Sequence, residues 1–481
     1  MKRHFDSVIA SFALLIALIL SATPAAADSN SERTDDPGLQ VSEERLRADM
    51  DTIVSFGTRH TLSFQDHPTR GVGAAVSWAL DEFGRMSEAC NGCLEVMPVG
   101  RVIEPDGRRI PEPTLIRNAV AIQRGTERPD EVIVVQAHYD SRVSDPLNGV
   151  DDAPGANDDG SGSVMVLEAA RILSQREYPS TIVYALLTGE EQGLFGAGIL
   201  ADWMTEQGFT VKAVLNNDMI GNSCGSDGYC EPDVVRVFSE GLRADSTALL
   251  RAQQRRFGGE NDSPGRNLSR WLANLAANYP DGMQVRQIWR TDRMGRGGDQ
   301  IPFLDRGYPA VRVTVAVEDY EHQHQDLRVE DGVTYGDTAD ELDFEYLTRA
   351  SVLNLRALHW LAMAPMPPVV RADGIVKTFT QLEWTPILGA TRFEIWKRRT
   401  DQAYWGESPE SVLENPSDSL ATIDETDVAQ AVRGQFTGLR LDRVRGDDWI
   451  FGVSACNGEF CSPVSSAVPG GAFEPVERRA E

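Results

Sequence analysis

Basic side chains are in short supply, with 46 lysines and arginines against 73 aspartates and glutamates and a formal net charge of −27. Such a surface repels phosphate backbones and anionic lipid headgroups, which excludes nucleic acid as a partner class and leaves solubility as the plain reading of the acidity. A membrane-spanning apolar run is missing too. The stretch "VIASFALLIALIL" near the N-terminus falls short of the ~20 residues a span needs. It is preceded by the basic Lys2 and Arg3 and followed by "PAAADSN", whose Ala25 and Ala27 frame a cleavage site. Residues 1–27 therefore read as a signal peptide, and the mature chain is expected to be secreted or periplasmic with no membrane contact once the signal is removed. No cysteine follows the cleavage point, which excludes a lipid anchor there. Cysteine is sparse as well. The six fall as close pairs, Cys90 with Cys93, Cys224 with Cys230 and Cys456 with Cys461, and in an oxidising compartment three local disulfides are expected. A zinc site built on Cys90 and Cys93 is the alternative, although no second pair with zinc-ribbon spacing follows.

The length of 481 residues suits two or three domains. Residues 28–40 are polar and expected to be flexible, with order beginning at Val41. "SEERLRADMDTIVSF" and "GVGAAVSWALDEFGRM" carry apolar residues at helical spacing. Runs of β-branched and aliphatic residues follow, "NAVAIQ", "EVIVVQA", "STIVYALL", "KAVLNN" and "PAVRVTV", with helical patterns such as "GSVMVLEAARILSQ" between several of them. This alternation predicts an α/β fold over residues 41–364, a mixed and mostly parallel sheet with helices on both faces. Prolines cluster in "LAMAPMPPVVRADG", and beyond them "TFTQLEWTP", "GATRFEIWKRRT" and "DDWIFGVSACNGEFCSPVSSAV" read as short alternating strands. A small β-sandwich is expected over residues 368–474. Its Trp384 and the "RFEIWKR" and "WIFGVSA" strands resemble a fibronectin type III domain, which binds a partner or serves as a spacer.

In open α/β sheets ligands bind outside the C-terminal ends of the strands, and here those ends are unusually polar. "EVIVVQAHYDS" ends in His138 and Asp140, "STIVYALLTGEE" in Glu190 and Glu191, and "KAVLNNDM" in Asp218, while "EDYEHQHQD" follows "PAVRVTV". The glycine-bracketed "PGANDDGSG" adds Asp158 and Asp159 before a helix. Like charges at Glu190 and Glu191 repel, and a divalent cation would compensate them. Imidazole with carboxylate suits zinc, and also manganese or cobalt, whereas calcium takes oxygen ligands only. His138 and Asp140 lie two apart on a strand and share a side, so Asp140 is placed to orient the imidazole through its second ring nitrogen.

"AHYDS", "PGANDDGSG", "TGEEQGLFGA", "NNDM" and the late histidine cluster, in that order, resemble the co-catalytic zinc aminopeptidases of the bacterial leucyl aminopeptidase type, peptidase family M28. The resemblance covers roughly residues 41 to 362. It implies two zinc ions per chain, one held by His138, Asp158 and Asp218 and the other by Asp158, Glu191 and His324, with Asp158 bridging. It further implies Glu190 as general base, Asp140 and Asp299 as supporting carboxylates, a cis peptide after Asp158, and a peptide as substrate. A bend after Gly189 would aim the adjacent glutamates differently. The activity expected is that of an exopeptidase, most simply an aminopeptidase. A metallocarboxypeptidase or dipeptidase of the same family is the nearest alternative, and a receptor-like ectodomain would have lost ligands that are present here. In "GGDQIPFLDRGYPA" a glutamine, Gln300, stands where family members often carry a histidine. "YEHQHQD" offers both His322 and His324, and His324 is preferred for its "HQD" context.

Overall fold

The β-branched runs become the central strands of an eight-stranded sheet in the computed structural model, which describes residues 36–414 and 437–476. The expected signal peptide and residues 28–35 lie outside the described residues. In chain order the strands are β1 (Leu94–Ile103), β2 (Thr114–Gln123), β3 (Arg128–His138), β4 (Ser180–Leu187), β5 (Thr210–Asn217), β6 (Val234–Phe238), β7 (Gln284–Ile288) and β8 (Ala310–Val315). Their spatial order is β1-β2-β4-β3-β5-β8-β6-β7. The middle four, β4, β3, β5 and β8, run parallel to one another. β1 pairs antiparallel with β2, β2 with β4, and β6 with β8. The sheet is therefore mixed, with a parallel centre whose strand ends all point to one edge.

Side-chain alternation splits the interior into two cores. Ile133, Val135, Tyr184 and Leu215 face the helices α1 (Glu43–Val54), α2 (Val72–Ala89), α3 (Gly162–Leu173), α7 (Pro264–Ala277) and α9 (Phe344–Met363). Their neighbours Val132, Val134, Val183 and Val214 face α5 (Phe195–Glu206) and the single turn α8 (Ile301–Leu304). Each fully buried Val, Leu or Ile is worth about 1.5–3 kcal/mol of transfer free energy, so both faces must stay covered. The two remaining α-helices among the described residues are the turn α4 (Glu190–Gly193) and the exposed α6 (Ala248–Phe257). α1 starts where Ser42 Oγ accepts from Arg45 N at 3.2 Å, while Ser42 N donates to Glu168 Oε1 at 2.8 Å. Order begins before Val41, which corrects the end of the segment expected to be flexible. Pro37–Gln40 form a 3-10 turn in which Pro37 and Gly38 are buried, and Arg171 Nη2 donates to the Gln40 carbonyl at 3.1 Å.

A short hairpin of β9 (Arg328–Glu330) and β10 (Val333–Tyr335) precedes α9. After it come two antiparallel sheets. One holds β11 (Val370–Asp373), β12 (Phe379–Trp384) and, further along the chain, β15 (Thr437–Asp442); the other holds β13 (Arg392–Arg399), β14 (Ser411–Glu414), β16 (Trp449–Asn457), β17 (Phe460–Cys461) and β18 (Ser465–Ser466). Leu382 and Trp384 from the first meet Phe393, Ile395 and Val453 from the second in one core. These sheets are tied to α7 and the loop before it. Arg398 grips Asp262 through Nη2 at 2.6 and 2.7 Å, Ser466 Oγ donates to Asp262 at 2.8 Å, and Trp271 Nε1 donates to the Cys461 carbonyl at 3.1 Å. All three cysteine pairs form disulfides, so Cys90 and Cys93 are joined to each other and the zinc alternative for them falls away.

Candidate active site

Four strand ends and one turn converge at the C-terminal edge of the parallel centre. β3 delivers His138 at its last position, β4 leads through Gly189 into Glu190 and Glu191, β5 runs into Asp218, and the chain after β8 carries His324. Asp158 comes from the turn ahead of α3, and the peptide joining it to Asp159 is cis, as the resemblance implied. Gly189 adopts φ +79°, and a Cβ there would meet Ile116 Cδ1 at 3.1 Å. The bend that leads into Glu190 and Glu191 thus favours glycine.

Two groups of potential ligands result, and they share one carboxylate. His138, Asp158 and Asp218 form the first; Asp158, Glu191 and His324 form the second, and in each the ligand atoms lie within 4.8 Å of one another. His138 Nε2 is 3.2 Å from Asp158 Oδ1 and 3.9 Å from Asp218 Oδ2. His324 Nε2 is 2.9 Å from Asp158 Oδ2 and 2.8 Å from Glu191 Oε1. His322 stands apart from both groups, with Nδ1 2.6 Å from Asp319 Oδ2 and Nε2 3.6 Å from Glu341.

Burial disfavours charge on His324, but Glu191 and Asp158 outweigh it and raise the imidazole to about 10. Burial and the like charge of Asp158 push Glu191 up, but His324, helped by Arg142, outweighs them and brings it down to about 2. Glu190 moves the other way. It is pushed well above the ordinary glutamate range, first by burial and then by the neighbouring Glu191, Asp218 and Asp299 against the opposing pull of His138. Two adjacent glutamates thus hold protons with very different affinities.

The supporting contacts differ in part from expectation. His138 Nδ1 lies 3.0 Å from the carbonyl of Asp140 and 3.7 Å from its carboxylate. A carbonyl only accepts, so Nδ1 donates and a neutral ring presents its lone pair at Nε2, toward Asp158. The Asp140 carboxylate instead accepts from Thr61 Oγ1 at 2.9 Å and from the backbone N–H groups of Glu190 and Glu191 at 3.3 Å each. It fixes the start of α4. Asp299 is buried with neither carboxylate oxygen hydrogen-bonded, and burial together with Asp140 and Asp218 raises it to about 8.

Several site residues escaped the sequence reading. Arg142 reaches Glu191 Oε2 at 2.8 Å and His324 Nδ1 at 2.6 Å, Arg312 holds Asp218 Oδ1 at 2.7 Å, and Gln323 Nε2 donates to Asp158 Oδ2 at 2.9 Å. Asp337 accepts from the N–H groups of Asn157 and Asp158, both at 2.7 Å. Asp159, which the sequence places beside Asp158 without a role, joins three segments, accepting from His138 N at 3.2 Å and from Gly162 N and Met219 N at 3.0 Å. Arg142 and Gln323 are near His138 and His324 in sequence, the one signal that could have pointed to them.

The donor set fits zinc on its own geometry. Glu191 Oε1 is buried and makes no hydrogen bond, although His324 Nε2 is only 2.8 Å away. Asp158 Oδ2 lies 2.9 Å from the same nitrogen, so three potential ligand atoms converge on one point. One imidazole and two carboxylates per group, one carboxylate shared, is a nitrogen and oxygen set that zinc accepts. Residues 118–335 match peptidase family M28. A probable zinc metalloprotease of Leptosphaeria maculans is 43% identical over 370 residues, spanning 76% of this chain and 86% of that protein. One from Phaeosphaeria nodorum is 37% identical over 452 residues, 90% of this chain and 87% of that protein. Among solved structures, LapA of Legionella pneumophila superposes with a TM-score of 0.51 at 19% identity, covering 69% of this chain and 77% of that one, and shares the fold. Sequence, fold and ligand geometry agree, and the chain belongs to peptidase family M28, a zinc metallopeptidase.

Proposed function

We propose that the chain is an exported exopeptidase that uses two zinc ions to release single residues from a peptide terminus, as an aminopeptidase. The observation that supports this above all is the sharing of Asp158 between two ligand groups at the strand ends. His138, Asp158 and Asp218 would hold one ion and Asp158, Glu191 and His324 the other. Zinc bound there supplies a Lewis acid for the scissile carbonyl and lowers the pKa of a water. The rest is the work of side chains. Glu190 belongs to neither ligand group and lines the same cavity of about 600 Å³ as Asp158, Asp218 and His324. Its raised proton affinity suits a base that takes the proton of the attacking water at its carboxylate and hands it to the departing amine. Asp140 keeps Glu190 and Glu191 in register through their backbone N–H groups.

The aminopeptidase direction draws on LapA, which is an aminopeptidase. Export draws on the N-terminal leader and on three disulfides; no helix among the described residues is long and apolar enough to cross a membrane. The C-terminal sheets we read as a fibronectin type III-like sandwich, a partner-binding module or spacer. The test is a panel of aminoacyl and N-blocked peptides assayed before and after chelation, with metal counted by elemental analysis. Cleavage that needs a free amine and is lost on chelation is expected. Cleavage of N-blocked peptides alone would reverse the direction, and activity untouched by chelation would overturn the reading.

A further inference from the structure

The walls of the active-site cavity are at odds with the charge of the chain. In a protein with a net charge of −27, five arginines line this one opening, Arg108, Arg109, Arg142, Arg293 and Arg296. Among the described residues Leu194 and Phe195 are its only apolar side chains. A pocket for a leucine-like side chain needs predominantly apolar walls, and this one does not have them.

The arginines are not all committed to carboxylates of the protein. Arg293 and Arg296 share Glu318 at 3.3 and 3.2 Å, and Arg142 holds Glu191. Arg108 and Arg109 differ. Arg109 reaches only the Glu191 carbonyl, at 3.2 Å, and Arg108 has no side-chain partner among the described residues. They stand on the β1–β2 connection, which is built to present them: Asp106 Oδ1 accepts the backbone N–H groups of Arg108, Arg109 and Ile110, each at 2.8 Å. The contact to Glu191 sets Arg109 beside the residues that would hold metal. Five carboxylates line the cavity against the five arginines, so two divalent cations would leave it positive.

We infer that this cavity selects peptides that present a carboxylate beside the scissile bond, held by Arg108 and Arg109. This rests on the exopeptidase reading above. The carboxylate has two possible sources, an acidic side chain on the terminal residue or the free α-carboxylate of a dipeptide. Guanidinium pairs with either in the same planar, two-bond geometry.

The test uses the zinc-loaded full-length mature chain. One arm compares glutamyl and glutaminyl 4-nitroanilides, which lack an α-carboxylate; the other compares Leu-Gly with Leu-Gly-amide. A preference for the charged member of about ten- to a hundredfold in kcat/KM is expected in at least one arm, the range of a charge-assisted hydrogen bond, and the arm that shows it names the source. Replacing both arginines, Arg108→Gln with Arg109→Gln, should collapse that ratio, and Arg108→Glu should push it below one. Calorimetry gives a second readout independent of turnover, with L-glutamate against L-glutamine for the side-chain source and glycine against glycinamide for the α-carboxylate source; the charged member of at least one pair is expected to bind more tightly, and that difference is lost in the double variant. Ratios near one in both arms would overturn the inference while leaving the exopeptidase intact, and so would a ratio that the double variant leaves unchanged. If no peptide is cleaved, the exopeptidase reading fails, and equal binding within both calorimetric pairs would then overturn this one as well.

Discussion

Glu190→Gln separates base from ligand. Glutamine keeps the shape of the side chain, and the contact that locates the residue, its N–H to Asp140 Oδ1 at 3.3 Å, is made by backbone and survives. Glu190 is in neither ligand group, so elemental analysis should find the same metal content as in the parent. Loss of general acid–base help costs about 10²–10⁴ in kcat, which at 1.36 kcal/mol per tenfold raises the barrier by roughly 3–5 kcal/mol. Stability should not suffer. The carboxyl is raised well above its ordinary value by burial and by Glu191, Asp218 and Asp299. A carboxyl raised on folding contributes stability that is fully present below its unfolded pKa and lost as pH climbs through the folded value. A neutral amide removes that loss, so melting of the metal-free variant at neutral pH should match or exceed that of the parent. Initial rates on the best aminoacyl substrate, metal content and melting temperature decide the matter together. Parental turnover with full metal would refute the base assignment, and loss of one metal would show that Glu190 is a ligand.

Three further outcomes are expected. His324→Ala should lose one metal and nearly all activity, whereas His322→Ala, whose ring pairs with Asp319 at 2.6 Å outside both groups, should retain both metals with a modest change in rate; elemental analysis giving the opposite pattern would exchange their roles. Glu240, raised by burial to about 8 with its carboxylate accepting from Ala244 N at 3.0 Å, should make the protein less stable as pH rises from about 4.5 toward 8, and Glu240→Gln should flatten that part of the chemical-denaturation profile; an unchanged slope would count against it. Arg398→Leu strips a buried partner from Asp262 and should cost about 3–5 kcal/mol of stability, read as a lower denaturation midpoint with kcat per folded molecule preserved.

The parallel centre was readable because its strands are buried on both faces and write themselves as continuous aliphatic runs; β4 is buried from Ser180 to Leu187. The edges were not. β1 lies at the rim with its side chains largely exposed and carries Pro98 within it, so it lacks the apolar run that marked its neighbours. β6 and β7 are only five residues each, and β7 is mostly polar. The same contrast holds in the site. The candidate ligands follow strands or, for Asp158, sit in a glycine-bracketed turn, where local context exposes them, and the structure brings His138, Asp158, Asp218, Glu191 and His324 together. Arg312 and Asp337 meet Asp218 and Asp158 across 94 and 179 positions of sequence, and no local pattern announces such a contact. Asp140 shows a subtler limit. Strand alternation placed it on the His138 side, but the chain leaves the strand after His138, so the carbonyl rather than the carboxylate meets the ring.

Gln300, the departure from the family pattern, is explained by its partners. Its Nε2 donates to Asp292 Oδ2 at 2.6 Å and to the Thr291 carbonyl at 3.1 Å, while its Oε1 accepts from Asn216 Nδ2 at 3.2 Å. Asp292 lies 3.5 Å from Arg312, which holds Asp218 at 2.7 Å. A neutral amide at this position both donates and accepts, which a protonated imidazole could not do. It therefore satisfies Asn216 and Asp292 together without adding charge to a buried chain that already contains an arginine between two aspartates. That chain ends on a carboxylate proposed to hold metal. Asp218 feels burial as a rise in proton affinity and Arg312 as the leading counterweight, so whatever steadies Arg312 keeps Asp218 ionised and available as a ligand. Gln300 touches none of the five candidate ligands and reaches Asp218 through Asp292 and Arg312, so glutamine can stand here while all five stay in place.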